Sequence, residues 1–189
     1  MSSRIIHPIP LTRALHTASQ GRFVSADGSS EYVGAWLDGL RHGVGTQHSS
    51  GLFKYKGLWQ RDGRHGAGTC VYSDGTVYEG DWADDVQHGR GVCNSSNGDV
   101  YDGGWACNHM DGHGTLKYAN GDVYVGSFKA GKRHGKGVLK GGDGSAYDGE
   151  WEQDGRHGTG AARLADGSMY QARPLVAWNP RHWHILTHF

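Results

Sequence analysis

The tetrapeptide Gly-Arg-His-Gly at residues 63–66 has the composition of a reactive or anion-binding loop. Glycine lets a ligand approach the backbone, arginine carries a permanent charge, and histidine titrates near neutral pH. Phosphate loops, zinc sites and catalytic sites all use these residue types. Closely similar tetrapeptides recur at 40–43, 86–89, 132–135 and 155–158. Five near-copies in one short chain favour a shared structural role over five active sites.

The tetrapeptide belongs to a repeat with a period of 23 residues. Counting each unit from its tyrosine as position 0, glycine stands at positions 2, 11 and 13 of all six full units. Tryptophan stands at position 4, except for Phe128, and histidine at position 10, except for Asp111. An Asp-Gly or Asn-Gly pair closes most periods. The tyrosines that set the frame are Tyr32, Tyr55, Tyr78, Tyr101, Tyr124, Tyr147 and Tyr170.

This pattern predicts an all-β fold built from hairpins. Tyrosine, glycine and tryptophan alternate at period two, so they share one face of a strand. Asp-Gly and Asn-Gly are typical of tight loops, and we interpret the Gly-Arg-His-Gly segment as the other turn. One hairpin has too little core to be stable, so we expect the units to stack. Residues 21–173 are thus predicted to form an elongated single-layer antiparallel array, with units starting at 32, 55, 78, 101, 124 and 147.

The segment at residues 78–91, which reads Tyr-Glu-Gly-Asp-Trp and then Gln-His-Gly-Arg-Gly, resembles the MORN (membrane occupation and recognition nexus) repeat. The resemblance extends over most of the chain and implies an extended array of β-hairpins. It implies a module for scaffolding, partner binding or membrane apposition. It also implies an association with the cytoskeleton, cilia or flagella, and a groove that receives a partner helix. Asp111 and Phe128 depart from the pattern of the repeat.

The repeat argues against catalytic and metal-binding chemistry. Equivalent histidines on successive units should lie roughly 10 Å apart, too far to share one zinc ion. We expect them to close the turns by side-chain to backbone hydrogen bonds. The glycines open strands rather than helices, which disfavours a phosphate loop. By the same spacing Cys70 and Cys93 should stay free, and the odd cysteine count favours a reducing compartment. We therefore predict a non-enzymatic protein without metal or cofactor.

Two rows of side chains are candidates for binding. A single-layer sheet has no opposing layer, so we expect part of the aromatic ladder to be exposed and to hold a helical or extended partner segment. This predicted groove contains Tyr55, Trp59, Tyr78, Trp82, Tyr101, Trp105, Tyr124, Phe128, Tyr147 and Trp151. The second row is a basic stripe that would bind anionic lipid, as the alternative function. It contains Arg41, Arg64, Lys132, Arg133 and Arg156.

Charge and the chain ends complete the expectations. The formal net charge is zero, with 19 basic and 19 acidic residues, so no global attraction to nucleic acid is expected. There is no apolar run long enough to cross a membrane. Residues 1–20 are predicted to be an extended arm, and residues 174–189 to contain a short helix begun by Asn179 and Pro180. Open edge strands or this helix could support homo-oligomers. The resemblance implies a cytoplasmic, cytoskeletal location.

Overall fold

The structure, a computed structural model, describes residues 18–172. These residues form one antiparallel sheet of 14 strands, in which spatial order equals chain order from β1 to β14. The predicted C-terminal helix, and all of the N-terminal arm except residues 18–20, lie outside the described part. Within residues 18–172 there is no helix, so the prediction of an all-β, single-layer hairpin array is confirmed there.

Hairpin units one to six are the strand pairs β2–β3, β4–β5, β6–β7, β8–β9, β10–β11 and β12–β13. Strand β1 precedes them and β14 follows them as half units, and the outer edges of these two strands pair with no other described strand. The strands are β1 Ser19–Val24, β2 Ser30–Leu37, β3 Leu40–Ser49, β4 Phe53–Gln60, β5 Gly63–Tyr72, β6 Val77–Ala83, β7 Val86–Asn94, β8 Val100–Ala106, β9 His109–Lys117, β10 Val123–Lys129, β11 Lys132–Lys140, β12 Ala146–Glu152, β13 Gly155–Arg163 and β14 Met169–Ala172.

The chain reverses inside each unit through a two-residue loop that precedes the Gly-Arg-His-Gly segment. In unit two, Gln60 pairs with Gly63, and the loop residues Arg61 and Asp62 have φ angles of 49° and 70°. Positive φ at both loop residues is the signature of the type I′ turn, whose twist matches that of the flanking strands. Our interpretation of residues 63–66 as the turn is therefore wrong, because they already belong to β5.

The histidine and glycine of the segment instead occupy a β-bulge. The register between β4 and β5 shifts between Gly57 and Trp59, so Leu58 has no direct partner on β5. Gly66, with φ of 62°, adopts the left-handed conformation that the bulge requires. The hydroxyl of Tyr55 donates a hydrogen bond of 2.9 Å to the Leu58 carbonyl oxygen. The same tyrosine bond, three residues along, recurs in all six units.

The predicted role of the repeat histidines is also wrong. Between residues 18 and 172, no hydrogen bond joins the ring of a position-10 histidine to the backbone of its turn. His65 Nδ1 lies 4.0 Å from Asp84 Oδ1, and His157 Nδ1 lies 3.3 Å from Glu152 Oε2. The turn needs no such bond, since left-handed loop residues and the ladder close it.

The Asp-Gly and Asn-Gly pairs form the other loops, as predicted. In the loop between β5 and β6, Gly75 has φ of 90° and its amide donates to the Tyr72 carbonyl oxygen at 3.0 Å. Asp74 accepts hydrogen bonds from the amide and hydroxyl of Thr76, and these bonds lower the pKa of its carboxyl group. These loops follow units two to six, whereas residues 50–52 join unit one to unit two.

The core is a ladder of aromatic rings on one face of the sheet, the aromatic face. Tyr55 contacts Trp59 of its own unit and Trp82 of the next unit, edge to face, with ring centroids 5.2 and 5.4 Å apart. The tyrosine ring lies on Gly57 and Gly68, which pair across the hairpin. A methyl group on Gly57 would stand 2.5 Å from the Gly68 Cα. Only glycine at both positions leaves room for the ring.

Candidate functional site

The aromatic rings themselves are covered, which corrects the expectation that their inner edges are exposed. Trp59, Trp82, Trp105 and Trp151 are 3%, 2%, 9% and 3% exposed. The other six members of the predicted groove, Tyr55, Tyr78, Tyr101, Tyr124, Phe128 and Tyr147, are likewise buried. A single layer achieves this because the rings pack edge to face against one another and over glycine backbone, while the position-9 arginines cover Trp59, Trp82 and Trp151. The buried rings therefore form a layer that we call the floor of the aromatic face. A ligand on this face would contact the side chains that cover the floor rather than the rings themselves.

Arg64 shows how the covering is built. Its guanidinium lies 4.2 Å from the centre of the Trp82 ring, on the next unit. Its amide and Nε donate to Asp85 Oδ1 at 3.1 and 2.9 Å, and Nη2 donates to the Asp85 carbonyl oxygen at 2.8 Å. The Asp85 amide returns a bond of 3.1 Å to the Arg64 carbonyl oxygen. We name this set of arginine, aspartate and tryptophan the arginine clasp.

The arginine clasp recurs with the same atoms at two more junctions. Arg41 holds Asp62 and Trp59, and Arg133 holds Asp154 and Trp151. The side chains of Arg41, Arg64 and Arg133 are 24%, 16% and 18% exposed. The expectation of a solvent-exposed arginine stripe is wrong for these three, since their charges are paired between units. Gln87 replaces arginine at the third junction, where the backbone N–H of Gln87 donates to Asn108 Oδ1 at 2.8 Å.

The two remaining members of the predicted basic stripe are exposed. Lys132 lies at the start of β11, beside the clasped Arg133. Arg156 lies 4.7 Å from the centre of the Tyr147 ring of its own unit, and no carboxylate of residues 18–172 pairs with it. The structure thus separates the five basic residues into three that join units and two that face solvent.

Partly exposed apolar side chains beside the rings form a surface that we did not single out from the sequence. They stand at positions 9, 15 and 17 of unit four, where methionine replaces the position-9 arginine, and at position 15 of unit five. We name this set the apolar row: Met110, Leu116, Tyr118 and Leu139. The sequence carries a signal for this surface, because alternation along the second strand of a unit puts positions 15 and 17 on the same face as the glycine at position 13. The clasped Arg133 lies next to the row on β11.

The opposite face of the sheet is different in character. Its exposed apolar side chains, such as Val33, Leu58 and Val125, alternate with charged ones along and across the strands. Asp81 Oδ2 there accepts a bond of 3.0 Å from the Arg90 amide, and Asp102 Oδ1 lies 3.9 Å from Arg90 Nη2. Among residues 18–172 this face has no layer of aromatic rings, so it provides matched control positions for the aromatic face.

Burial on the aromatic face suppresses the ionisation of several phenol and thiol groups. Burial raises the pKa of the Tyr55, Tyr101 and Tyr124 hydroxyl groups to about 12, and it raises that of Tyr78 as well. Burial also raises the pKa of the Cys70 and Cys93 thiols, both of which are free. Raised thiol and phenol pKa values make these groups poor nucleophiles.

Between residues 18 and 172, no group of three or more His, Cys, Asp or Glu side chains is arranged to hold a metal ion. In that part of the chain, no helix has the length and apolar character needed to cross a membrane.

Comparison with known families agrees with the repeat. A family model described as the MORN repeat matches residues 32–51, 55–77, 78–100, 101–123, 124–146 and 147–169. The chain belongs to the MORN-repeat family. Each of the six matched MORN repeats begins at the tyrosine of a unit, and the second to fifth end directly before the next match. A search of curated proteins found no match for this MORN-repeat chain.

Two solved structures are similar to this MORN-repeat chain at 12% identity and a TM-score of 0.41. The first is the TCP domain of SAS-4 (dCPAP) of Drosophila melanogaster in complex with a proline-rich motif of Ana2 (dSTIL), with 98% of this chain and 99% of that chain covered. The second is the wild-type TCP10 domain of CPAP from Danio rerio, with 82% and 89% covered. Likenesses of this degree do not indicate what this chain binds.

Proposed function

We propose that this MORN-repeat ribbon is a non-catalytic scaffold that holds a segment of a partner protein across its aromatic face. The observation that carries the proposal is the apolar row, where Met110 and Leu116 lie partly exposed on a floor of buried rings. Contiguous apolar surface that stays accessible in a folded chain typically marks a binding site. The ten ring residues named from the sequence form the rigid floor under the bound segment.

A rigid floor suits the binding of a segment. The ring of Tyr78, for example, is held by two edge-to-face neighbours and by a hydrogen bond to the backbone, so binding costs little ordering of the scaffold itself. A helix or extended strand could place side chains between the regularly spaced units. The exposed Arg156 supplies a positive charge toward the C-terminal end of the same face. We infer a partner segment with apolar anchors and an acidic flank.

The proposal has no catalytic component. The recurring His, Arg and Asp side chains are used in bulges and clasps between units, and the tyrosines and thiols have raised pKa values. By family resemblance, we place the scaffold in a cytoskeletal assembly, in the cytoplasm and in a cilium or flagellum. Self-association through the outer edges of β1 and β14 remains a separate prediction.

Site-specific photo-cross-linking tests which face binds. A photoreactive phenylalanine analogue is placed at Met110 or Leu116 on the aromatic face, and at Val33 or Val125 on the opposite face as controls. We expect the aromatic-face positions to cross-link one partner segment in native extract, identified by mass spectrometry. The recombinant segment should then lose at least tenfold in affinity for Leu116→Glu with Leu139→Glu, and little for Val33→Glu with Val125→Glu. Cross-links confined to the control positions would contradict the proposal.

Anionic lipid binding is tested in the same set of variants. Only Lys132 and Arg156 of the predicted stripe are exposed, so attraction to an anionic surface should be weak and should fade at physiological salt. We expect no flotation with phosphatidylserine liposomes beyond that with neutral liposomes. Flotation that is abolished by Lys132→Glu with Arg156→Glu would favour the membrane alternative over the scaffold.

A further inference from the structure

The junction between β9 and β10, where unit four meets unit five, lacks the side-chain contacts of the other four junctions between described units. At those four, the indole nitrogen of a tryptophan donates to a glycine carbonyl oxygen on the preceding strand. The bonds are Trp59 to Gly45 at 3.2 Å, Trp82 to Gly68 at 3.2 Å, Trp105 to Gly91 at 3.0 Å and Trp151 to Gly137 at 2.9 Å. At β9–β10 the ring is Phe128, which has no donor for the carbonyl of Gly114.

The clasp is missing at the same junction. Met110 occupies the position of the clasping arginine, and Gly131 occupies the position of the accepting aspartate. The methionine side chain has no charge to place over a ring, and the glycine has no side chain to accept a bond. What remains of this contact is one backbone bond of 2.8 Å, from the Gly131 amide to the Met110 carbonyl oxygen. Three departures from the repeat thus meet at one place.

The rest of the junction is intact. Strands β9 and β10 keep their register from Val123 against Lys117 to Phe128 against Gly112. The ring of Tyr101 contacts Phe128 with centroids 5.0 Å apart. Asp111, which stands in place of the histidine, accepts a bond of 3.2 Å from the Ala130 amide and replaces part of the lost contact. The β9–β10 junction therefore lacks both the clasp and the indole bond, whereas the β7–β8 junction, where Gln87 and Asn108 replace the clasping pair, keeps the indole bond of Trp105.

We propose that the ribbon has a built-in weak junction at β9–β10, which opens locally before any other junction between its units. Opening starts at the end that lacks the clasp, in residues 110–114 and 126–131. The other end is tied by the loop between the strands, where the Gly121 amide donates to the Tyr118 carbonyl oxygen at 3.0 Å. The opened state separates units one to four from units five and six and exposes the Phe128 ring.

Hydrogen exchange measured by mass spectrometry on the full chain tests the proposal. The matched comparison is the β5–β6 junction, whose equivalent residues are 64–68 and 80–85 and whose clasp is complete. Because both the charge-assisted contact of the clasp and the indole bond are missing, we expect residues 110–114 and 126–131 to exchange at least about tenfold faster than those controls. Equal exchange at the two junctions would overturn the proposal.

Variants in both directions assign the effect to the three departures. Met110→Arg with Phe128→Trp and Gly131→Asp restores the clasp, and it should slow exchange at β9–β10 to the level of β5–β6. The converse set, Arg64→Met with Trp82→Phe and Asp85→Gly, should create a second fast junction and leave β9–β10 unchanged. Slow exchange at β5–β6 in this converse set, or unchanged fast exchange in the restored variant, would show that the clasp does not control opening. The converse set keeps the test decisive if the restored variant does not fold.

Discussion

The guanidinium of Arg64 lies 4.2 Å from the centre of the Trp82 ring, which belongs to the next unit. The same arginine is bonded to Asp85 at the turn of that unit. One side chain therefore joins a ring and a loop across a junction. From the sequence, the same side chain is predicted to belong to a basic stripe that binds a ligand. Stacked units have only neighbour contacts for stability, which gives these interunit bonds a direct role in the fold.

The two aspartates of one loop should differ in importance. Asp84 and Asp85 both have positive φ, at 48° and 69°, but only Asp85 accepts bonds from Arg64. Replacing either aspartate by alanine has a similar backbone cost, so the difference in stability between the two variants measures the contribution of the clasp. We expect Asp85→Ala to lower the free energy of unfolding by about 1.5 kcal/mol more than Asp84→Ala. Urea denaturation followed by circular dichroism measures this, and equal losses would show that the clasp adds no stability.

The indole nitrogen should matter at the clasped junctions. Trp82→Phe removes the bond to the Gly68 carbonyl oxygen and weakens the contact with Arg64, as well as leaving a small cavity. We expect a loss of about 2 kcal/mol in the free energy of unfolding. The control is Trp36→Phe, because no arginine of residues 18–172 covers Trp36, which is only partly buried. A control loss as large as that of Trp82→Phe would contradict the expected role of the donor. Phe128 indicates that the variant should still fold.

The paired glycines under the tyrosine should not tolerate a methyl group. In Gly57→Ala the new Cβ would stand 2.5 Å from the Gly68 Cα and would also contact the Tyr55 hydroxyl. To relieve this clash, the strands must separate or the tyrosine ring must move off the glycine pair. We therefore expect the free energy of unfolding to fall by about 3 kcal/mol. Gly75→Ala is the control: its site is open, and its φ of 90° predicts a loss of only about 1 kcal/mol. A thermal unfolding experiment in which Gly75→Ala is destabilised more than Gly57→Ala would show that the glycine pair can accommodate a methyl group.

Alkaline pH should unfold the ribbon. Burial raises the pKa of Tyr55, Tyr101 and Tyr124 from 10.0 to about 12, so the folded state retains protons that the unfolded state has lost. The tyrosines therefore contribute their full stability below pH 10, and this stability is lost as the pH rises from about 10 to about 12. The Cys70 and Cys93 thiols, also with raised pKa, should move the onset toward pH 9. Circular dichroism and tyrosinate absorbance should change together. Tyrosine ionisation near pH 10 in a fully folded sheet would refute this prediction.

The site was only partly predictable from sequence. Alternation of Tyr55, Gly57 and Trp59 placed the rings on one face, because strand geometry fixes that parity locally. It could not show that the rings are buried, since burial depends on Arg64, 18 residues before the Trp82 that it covers, and on the register that brings them together. The same limit explains the turn. Arg61 and Asp62 are not usual type I′ residues such as Asn-Gly, so the sequence pattern placed the turn at the glycines that follow them.

The sequence by itself determined the period, the strand alternation and the glycine pairs under the tyrosine rings. Together these features specify an antiparallel single-layer ribbon. These features depend on local geometry that repeats every 23 residues, so six copies specify them six times over. Only the tertiary structure decided that Gly63–Gly66 lies in a strand and a bulge, that Arg41, Arg64 and Arg133 join neighbouring units, and that Met110, Phe128 and Gly131 meet at one junction. The physical reason is that these contacts cross between strands, and the bulge shifts the register that pairs them.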